Sequence, residues 1–382
     1  MRLPQDVKIS RPTLHKHESI FESLVTRPDR PKKLKEWTET DHPGLSLHVT
    51  SFTDATFVTL SWSHIFFDAL GRQSLFQAWL AVLDGREEDV PECIPYEEDP
   101  VVGIAGDAKP EDHVLYKYAL TGIWALLFVL SFIYELLVHR KDSGRIVRLP
   151  GSWVDELREG AMEDLRAKGV PEKDAFLTHG DVLLAFWCKI TLSAQHFRPS
   201  QPVHVINAMN VRGISENVPL PGKKAYVGNA VLGAVTLTTM SEIDTWSVGE
   251  FAGRLRKDLK EQRAPGQIKA IVAWLLRCFN EGKGSPLPPG SWNQSILSWS
   301  NWSRAKFYDM DFSSAVVKTG GATHERSTKV GRPSLVLTFG HADGLSVRNG
   351  GPLIGQDGRG DWWINWYLRD EAWAEVEKAL MH

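Results

Sequence analysis

Ser63-His64-Ile65-Phe66-Phe67-Asp68-Ala69-Leu70-Gly71 is the stretch from which the rest of this chain is read. Before it, Leu45, Leu47 and Val49 alternate with Ser46, His48 and Thr50. After a turn at Thr53-Asp54 come Phe57, Val58, Thr59, Leu60 and Trp62. This spacing predicts two strands, over residues 44–52 and 55–63. Beyond it, Leu75, Trp79, Val82 and Leu83 recur at three- and four-residue intervals, and Asp84-Gly85 supplies a stop. That pattern predicts a helix over 68–83. His64 is therefore expected to end a strand and Asp68 to open a helix, with Gly71 in its first turn. Such a junction puts a side chain at the edge of a core, where clefts form. An imidazole held there against apolar neighbours is mostly neutral near pH 7 and can act as a general base. The local pattern is equally explained by a half-buried structural histidine and a helix cap, since chance supplies about one His-x-x-x-Asp pair in a chain of this make-up.

The 382 residues predict about two domains. Hydrophobic residues at 42% and charged residues at 24% exclude wholesale disorder. A net charge of −3 lacks the basic face of a nucleic-acid binder. Cys93, Cys188 and Cys278 form no CxxC pair, so no zinc site or disulfide framework is expected and a reducing compartment fits. Residues 1–40 read as loop and short helix, and 86–112 as a linker. A strand is predicted over 145–149, then a helix from Ser152, as cap, to about Lys168. A buried helix follows over 181–192, with strands at 202–211 and 230–238. Helices are expected at 251–263, 268–279 and 371–380. Further strands are expected at 295–302, 305–311, 334–340 and 362–367, with the glycine-rich run 349–360 as a hairpin turn. This mixture predicts an α/β or α+β chain with mixed sheets. Asp309-Met310-Asp311 has a DxD form that strand alternation explains, so no metal is expected.

Several segments agree in order with a known pattern. Ser63-His64-x-x-x-Asp68-Ala-x-Gly71 is followed by Gly180-Asp181-Val182-Leu183-Leu184-Ala185-Phe186-Trp187, Asn210-Val211-Arg212 and Tyr226-Val227-Gly228-Asn229. Ser300-Asn301-Trp302 then lies nine residues before Asp311-Phe312. Together these resemble the BAHD family of acyl-CoA-dependent transferases, in its fungal branch. From about residue 40 to the end, the chain carries the resemblance. It implies two chloramphenicol-acetyltransferase-like subdomains with mixed sheets and a channel between them. It also implies transfer of an acyl group from acyl-CoA, with acetyl-CoA the expected donor, to a hydroxyl or amine of a hydrophobic specialised metabolite. His64 would be the general base and Ser300 a donor to the tetrahedral oxyanion. Asp68, Arg212, Trp302 and Asp311 would support the site, with Asp68 pairing to Arg212. No permanently bound cofactor is implied, and the residues that hold coenzyme A stay unassigned.

Two departures stand out. The family's DFGWG is here Asp311-Phe312-Ser313-Ser314-Ala315. The stretch before His64 is short for the family, which implies the loss of a strand and part of the channel wall. The resulting division is an N-terminal subdomain over 1–105, a linker with an apolar helix over 106–144, and a C-terminal subdomain over 145–382. Tyr118 to Val138 is apolar except at Glu135 and ends on His139-Arg140-Lys141, at the short edge of membrane-spanning length. His64 precedes it and Arg212 and Ser300 follow it, so a span would divide the site. Peripheral or packed placement, or a transmembrane helix at the expense of catalysis, are the open choices. The expected setting is a cytoplasmic, membrane-associated monomer. An inactive or truncated relative that binds at a membrane is the alternative, and a peptide-synthesis condensation domain a weaker one, since Ser63 stands where that class has a first histidine.

Overall fold

Seven strands form one mixed sheet in the computed structural model, which describes all residues except 1–8, 17–23, 96–98, 216–217, 221, 223, 322–327, 340–347 and 382. They are β1 (Thr13–Lys16), β4 (Asp142–Leu149), β5 (Pro202–Asn210), β6 (Val231–Thr239), β7 (Ser295–Asn301), β8 (Gly350–Gln356) and β9 (Trp362–Arg369). Their order across the sheet is β1-β4-β9-β8-β7-β5-β6. Pairs are antiparallel except at β7, which runs parallel to both β5 and β8. β9 lies inside the sheet, and its Trp-Trp-Ile-Asn-Trp-Tyr-Leu run has the near-continuous apolar character of a strand covered on both faces. β2 (Leu45–Ser51) and β3 (Thr56–Trp62) form a separate antiparallel hairpin, with Leu47 opposite Leu60 and Val49 opposite Val58.

Helices α3 (Gly151–Ala167), α4 (His179–Ser193) and α5 (Val248–Gln262) pack together over the sheet. Val154, Leu183, Leu184, Trp187 and Phe251 meet Val147, Leu297, Ile364 and Trp366 there in the main core. The remaining long helices are α1 (Ala69–Leu83), α2 (Gly122–Val138), α6 (Pro265–Asn280) and α7 (Trp373–Met381). The expected α/β class holds. Among the described residues, the sheet content before residue 106 is small and forms no mixed sheet of its own. It consists of the hairpin, the short strand Glu92–Cys93 and β1, which joins the large sheet by pairing with β4.

Other expectations need correction. Residues 305–311 are not a strand but two 3₁₀ turns, Ser303–Ala305 and Phe307–Asp309. Lys306 between them has φ 51, a left-handed backbone that no strand accommodates. Residues 334–339 carry no regular structure, and residue 340 lies outside the described residues. Leu335, Val336 and Leu337 instead cover Tyr308 and Trp363, so packing rather than a ladder explains their apolar run. The glycine-rich run is mostly strand β8, with its turn confined to Asp357–Gly360. Gly351 permits this, because a β-carbon there would lie 2.0 Å from the Asn365 carbonyl oxygen on β9. Ser152 does not cap α3: Pro150 holds that position, as a fixed φ allows.

The apolar segment forms α2, 17 residues long and roughly 26 Å in length at 1.5 Å per residue. A transmembrane helix is ruled out among the described residues: none is long and apolar enough to cross a membrane. Phe128 is buried on its inner side, while Trp124, Leu130, Ile133, Tyr134 and Leu137 are exposed. Glu135, the one charge in the run, accepts from Arg348 Nη1 at 2.9 Å and Arg369 Nη2 at 2.7 Å. These pairs fasten the helix to the sheet, and the two guanidiniums hold the Glu135 carboxyl below its usual range against the opposing effect of burial.

Candidate active site

The strand β3 stops at Trp62, and a turn closed by the Phe66 N–H on the Ser63 carbonyl (3.0 Å) carries His64. Asp68 then caps α1. Its Oδ1 accepts from the N–H groups of Leu70 (3.0 Å) and Gly71 (2.9 Å), satisfying two of the orphan donors of the first turn. Its Oδ2 accepts from Arg212 Nη1 (2.9 Å) and the Ala230 N–H (2.8 Å). Arg212, buried just past β5, donates in addition to Asn210 Oδ1 and to the Tyr226 and Gly228 carbonyls. The expected Asp68–Arg212 pair is thus a buried, fully bonded knot rather than a surface contact.

Three of the sequence segments meet in this knot. Asn210-Val211-Arg212 supplies the guanidinium and its local acceptor, and Tyr226 to Asn229 supplies carbonyls. Gly71 lets α1 approach that turn, since a β-carbon there would sit 2.0 Å from the Val227 carbonyl oxygen. Asn229 Nδ2 donates to the backbone carbonyls of His64 (2.8 Å) and Ile65 (3.1 Å). The fourth segment acts elsewhere. Gly180 lets α4 approach Asn301, and Asp181 closes a capping box with Thr178 and pairs with Arg256 at 2.7 Å.

His64 itself is exposed, not held against apolar neighbours as expected. The turn lifts it off the end of β3, and its fixed point is the backbone that Asn229 grips. Ser300 lies on β7, paired with Ala208 on β5 and Pro352 on β8. Its Oγ accepts from Trp302 Nε1 at 2.8 Å, which leaves its own O–H free to donate elsewhere. Trp302 is half-buried and packs edge-on to Phe307. Asp311 stands apart from the knot. It accepts from the Ser313 N–H (3.0 Å) and from Arg332 Nε (3.4 Å), and the Ser313 bonds hold its carboxyl low. Its bond to the Ser313 N–H shapes the turn at Ser313–Ala315.

Sequence reading missed Asn229 as an anchor and missed Arg72 altogether. Arg72 follows Gly71 on α1 and is 8% exposed, with its guanidinium carbon 4.5 Å from the Trp62 ring centre and 4.2 Å from that of Trp302. An arginine in the first turn of an amphipathic helix gives no signal that it will be buried. Among the described residues no group of three or more His, Cys, Asp or Glu side chains is placed to hold a metal ion. A cavity of about 560 Å³ opens elsewhere, among His113, Tyr116, Leu237, Arg254 and Gln262, and none of the six expected site residues lines it.

Known proteins resemble this chain in sequence and in fold. The family model described as Transferase family matches residues 28–337. Acetyltransferase sphE of Aspergillus fumigatus is 33% identical over 370 residues, covering 94% of this chain and 71% of that protein. A Penicillium decumbens protein named transcriptional regulator calD is 31% identical over 372 residues, covering 97% and 74%. The crystal structure of F. sporotrichioides TRI101 complexed with coenzyme A and T-2 is similar at a TM-score of 0.60, with 16% identity, covering 88% of this chain and 67% of that one. That likeness shows a chloramphenicol-acetyltransferase-like fold. With the family match spanning most of its length, the chain belongs to the Transferase family, the BAHD-type acyl-CoA-dependent transferases, and three of the segments that resemble that family meet around Asp68 and Arg212.

Proposed function

We propose that the protein transfers an acyl group, acetyl in the simplest case, from coenzyme A to a hydroxyl of a hydrophobic specialised metabolite. The observation that carries this reading is the mounting of His64: its backbone is gripped by Asn229 beside a rigid knot, while its imidazole is left free. A residue in a mere packing role would be fixed by its side chain instead. Family names alone do not decide the chemistry, since relatives are named both as an acetyltransferase and as a transcriptional regulator.

In the reaction, His64 takes the acceptor's O–H proton as its oxygen attacks the thioester carbonyl carbon. Ser300 O–H donates to the oxyanion that forms, an interaction that can be worth about 3 kcal/mol. The C–S bond then breaks, and the imidazolium returns its proton to the departing coenzyme A thiolate. No acyl-enzyme forms. Donor and acceptor meet in a channel between the units 1–105 and 145–382, and no metal takes part. The test is free-thiol release from acetyl-CoA with terpenoid, polyketide and alkaloid alcohols. His64→Ala is expected to lose about 100-fold or more in rate; a variant as fast as the parent sinks the mechanism.

We further propose that this cytoplasmic, monomeric enzyme rests on an anionic lipid surface through α2. Supporting this are the exposed apolar face with Trp124 and Tyr134, the exposed basic Lys117, Arg140 and Lys141 at its ends, and the ion pairs of Glu135 on the opposite side. Co-sedimentation with vesicles of phosphatidylserine and phosphatidylcholine is expected for the parent and lost in Leu130→Glu/Ile133→Glu. A double variant that still sediments, or a parent that never does, contradicts the lipid contact.

A further inference from the structure

Among the described residues, Arg72 is a buried cation near the knot that the reaction scheme leaves without a task. It lies in the first turn of α1, its N–H bonded to the Asp68 carbonyl, and its side chain is enclosed by three rings: Trp62, Trp302 and Phe307. Its Nε is buried without a hydrogen-bond partner, and among the described residues it has no ion pair. Asp68 does not serve it, because both of that carboxylate's oxygens are taken by backbone N–H groups and Arg212. Burial pushes the guanidinium down to about 9, opposed by the Asp68 charge, so it remains a cation at pH 7. A charge kept in such a place without an acid is costly for stability alone. Its compensation is the electron-rich faces of two indoles, at 4.5 and 4.2 Å.

Those two indoles belong to the two halves of the reaction centre. Trp62 is the last residue of β3, two before His64, and it also stacks on Phe67 at 5.4 Å. Trp302 is two after Ser300 and holds the Ser300 hydroxyl through its indole N–H. A planar cation wedged between the rings fixes their separation. It therefore ties the segment bearing His64 to the segment bearing Ser300.

We propose that Arg72 is a positioning residue for acyl transfer: clamped between Trp62 and Trp302, it sets the Ser300 hydroxyl relative to the His64 turn. This rests on the acyl-transfer reading above. It adds a dependence of the oxyanion donor on a residue outside the ordered motifs.

The experiment is a double-mutant cycle on the full chain: Arg72→Met, Ser300→Ala and the pair, with Arg72→Lys and His64→Ala alongside. Rates, the acyl-CoA KM and thermal midpoints are measured for each. Arg72→Met removes an unpaired buried charge at similar volume, so its midpoint is expected to equal or exceed the parent's. Its kcat is expected to fall about tenfold or more with the acyl-CoA KM within about twofold, as for loss of alignment rather than of binding. Arg72→Lys keeps the cation without the plane and is expected to recover part of the rate. On the Ser300→Ala background the same change is expected to cost less than about twofold, because its effect passes through that hydroxyl. Full additivity, an unchanged kcat, or loss of the fold in Arg72→Met each overturns the clamp. A His64→Ala protein at the parent rate instead sinks the acyl-transfer reading, whatever the cycle gives.

Discussion

The seven-stranded sheet and the β2–β3 hairpin solve the same problem unequally. In the sheet, both faces are covered: Val147, Leu149, Ile364, Trp366 and Leu368 are sealed from solvent. In the hairpin, the apolar row is the open one: Leu47, Val49 and Val58 are 47%, 51% and 42% exposed. The polar row, with His48 and Thr59, is the less exposed face. An isolated two-stranded hairpin is marginal in water. Yet this hairpin leads directly into His64. The difference shows that His64 is not held by its own strand. It is held by the sheet, through Arg212 and Asn229 at the ends of β5 and β6, and through the cap that Asp68 places on α1.

The sharpest way to break that comparison is Arg212→Ala. It leaves the Asp68 carboxylate buried without its cation and frees the Tyr226 and Gly228 carbonyls, at an expected loss of about 3–5 kcal/mol. Urea unfolding would show it as a lower midpoint with the slope retained. A loss below about 1 kcal/mol would mean the knot does not bind the two regions together.

A smaller effect concerns the sheet alone. His204 on β5 is buried, donates from Nδ1 to the Pro289 carbonyl at 2.8 Å, and is pushed down to about 4, chiefly by burial. The unfolded chain takes up this proton from about pH 6.5, the folded one only near pH 4. Stability is therefore present above pH 6.5 and lost as pH falls, by about 3 kcal/mol on reaching pH 4. Urea midpoints are expected to drop between pH 7 and pH 4.5, and His204→Gln is expected to narrow the drop. An equal drop in the variant contradicts the assignment. The smallest effect belongs to the hairpin: Val49→Thr is expected to change stability by less than about 0.5 kcal/mol, as at an exposed site. A change above about 1.5 kcal/mol would show that this face is covered in solution.

Much of this was legible in the sequence. The hairpin, α1 with its Asp68 cap, and the pairing of Asp68 with Arg212 follow from spacing, capping chemistry and the family resemblance. What spacing cannot give is which face of a strand is covered, and the hairpin shows the point: alternation marks Leu47 and Val49, and the structure leaves them outside. Residues 305–311 and 334–339 fail for a related reason. Their apolar content is real, but it packs on Leu70, Phe76, Ile354 and Trp363 without a neighbouring edge to pair with. Arg72 was invisible because its partners, Trp62 and Trp302, are 240 residues apart in the chain and meet only in the fold.

The central claim is that a free His64 side chain on an anchored backbone performs the proton transfer. Thiol release from acetyl-CoA by His64→Ala tests it most directly, with the thermal midpoint measured on the same sample. The expected result is a rate at least about 100-fold below the parent with an unchanged midpoint, since the imidazole is exposed and bears no packing load. A His64→Ala protein that is equally stable and transfers acyl groups at the parent rate would contradict the account.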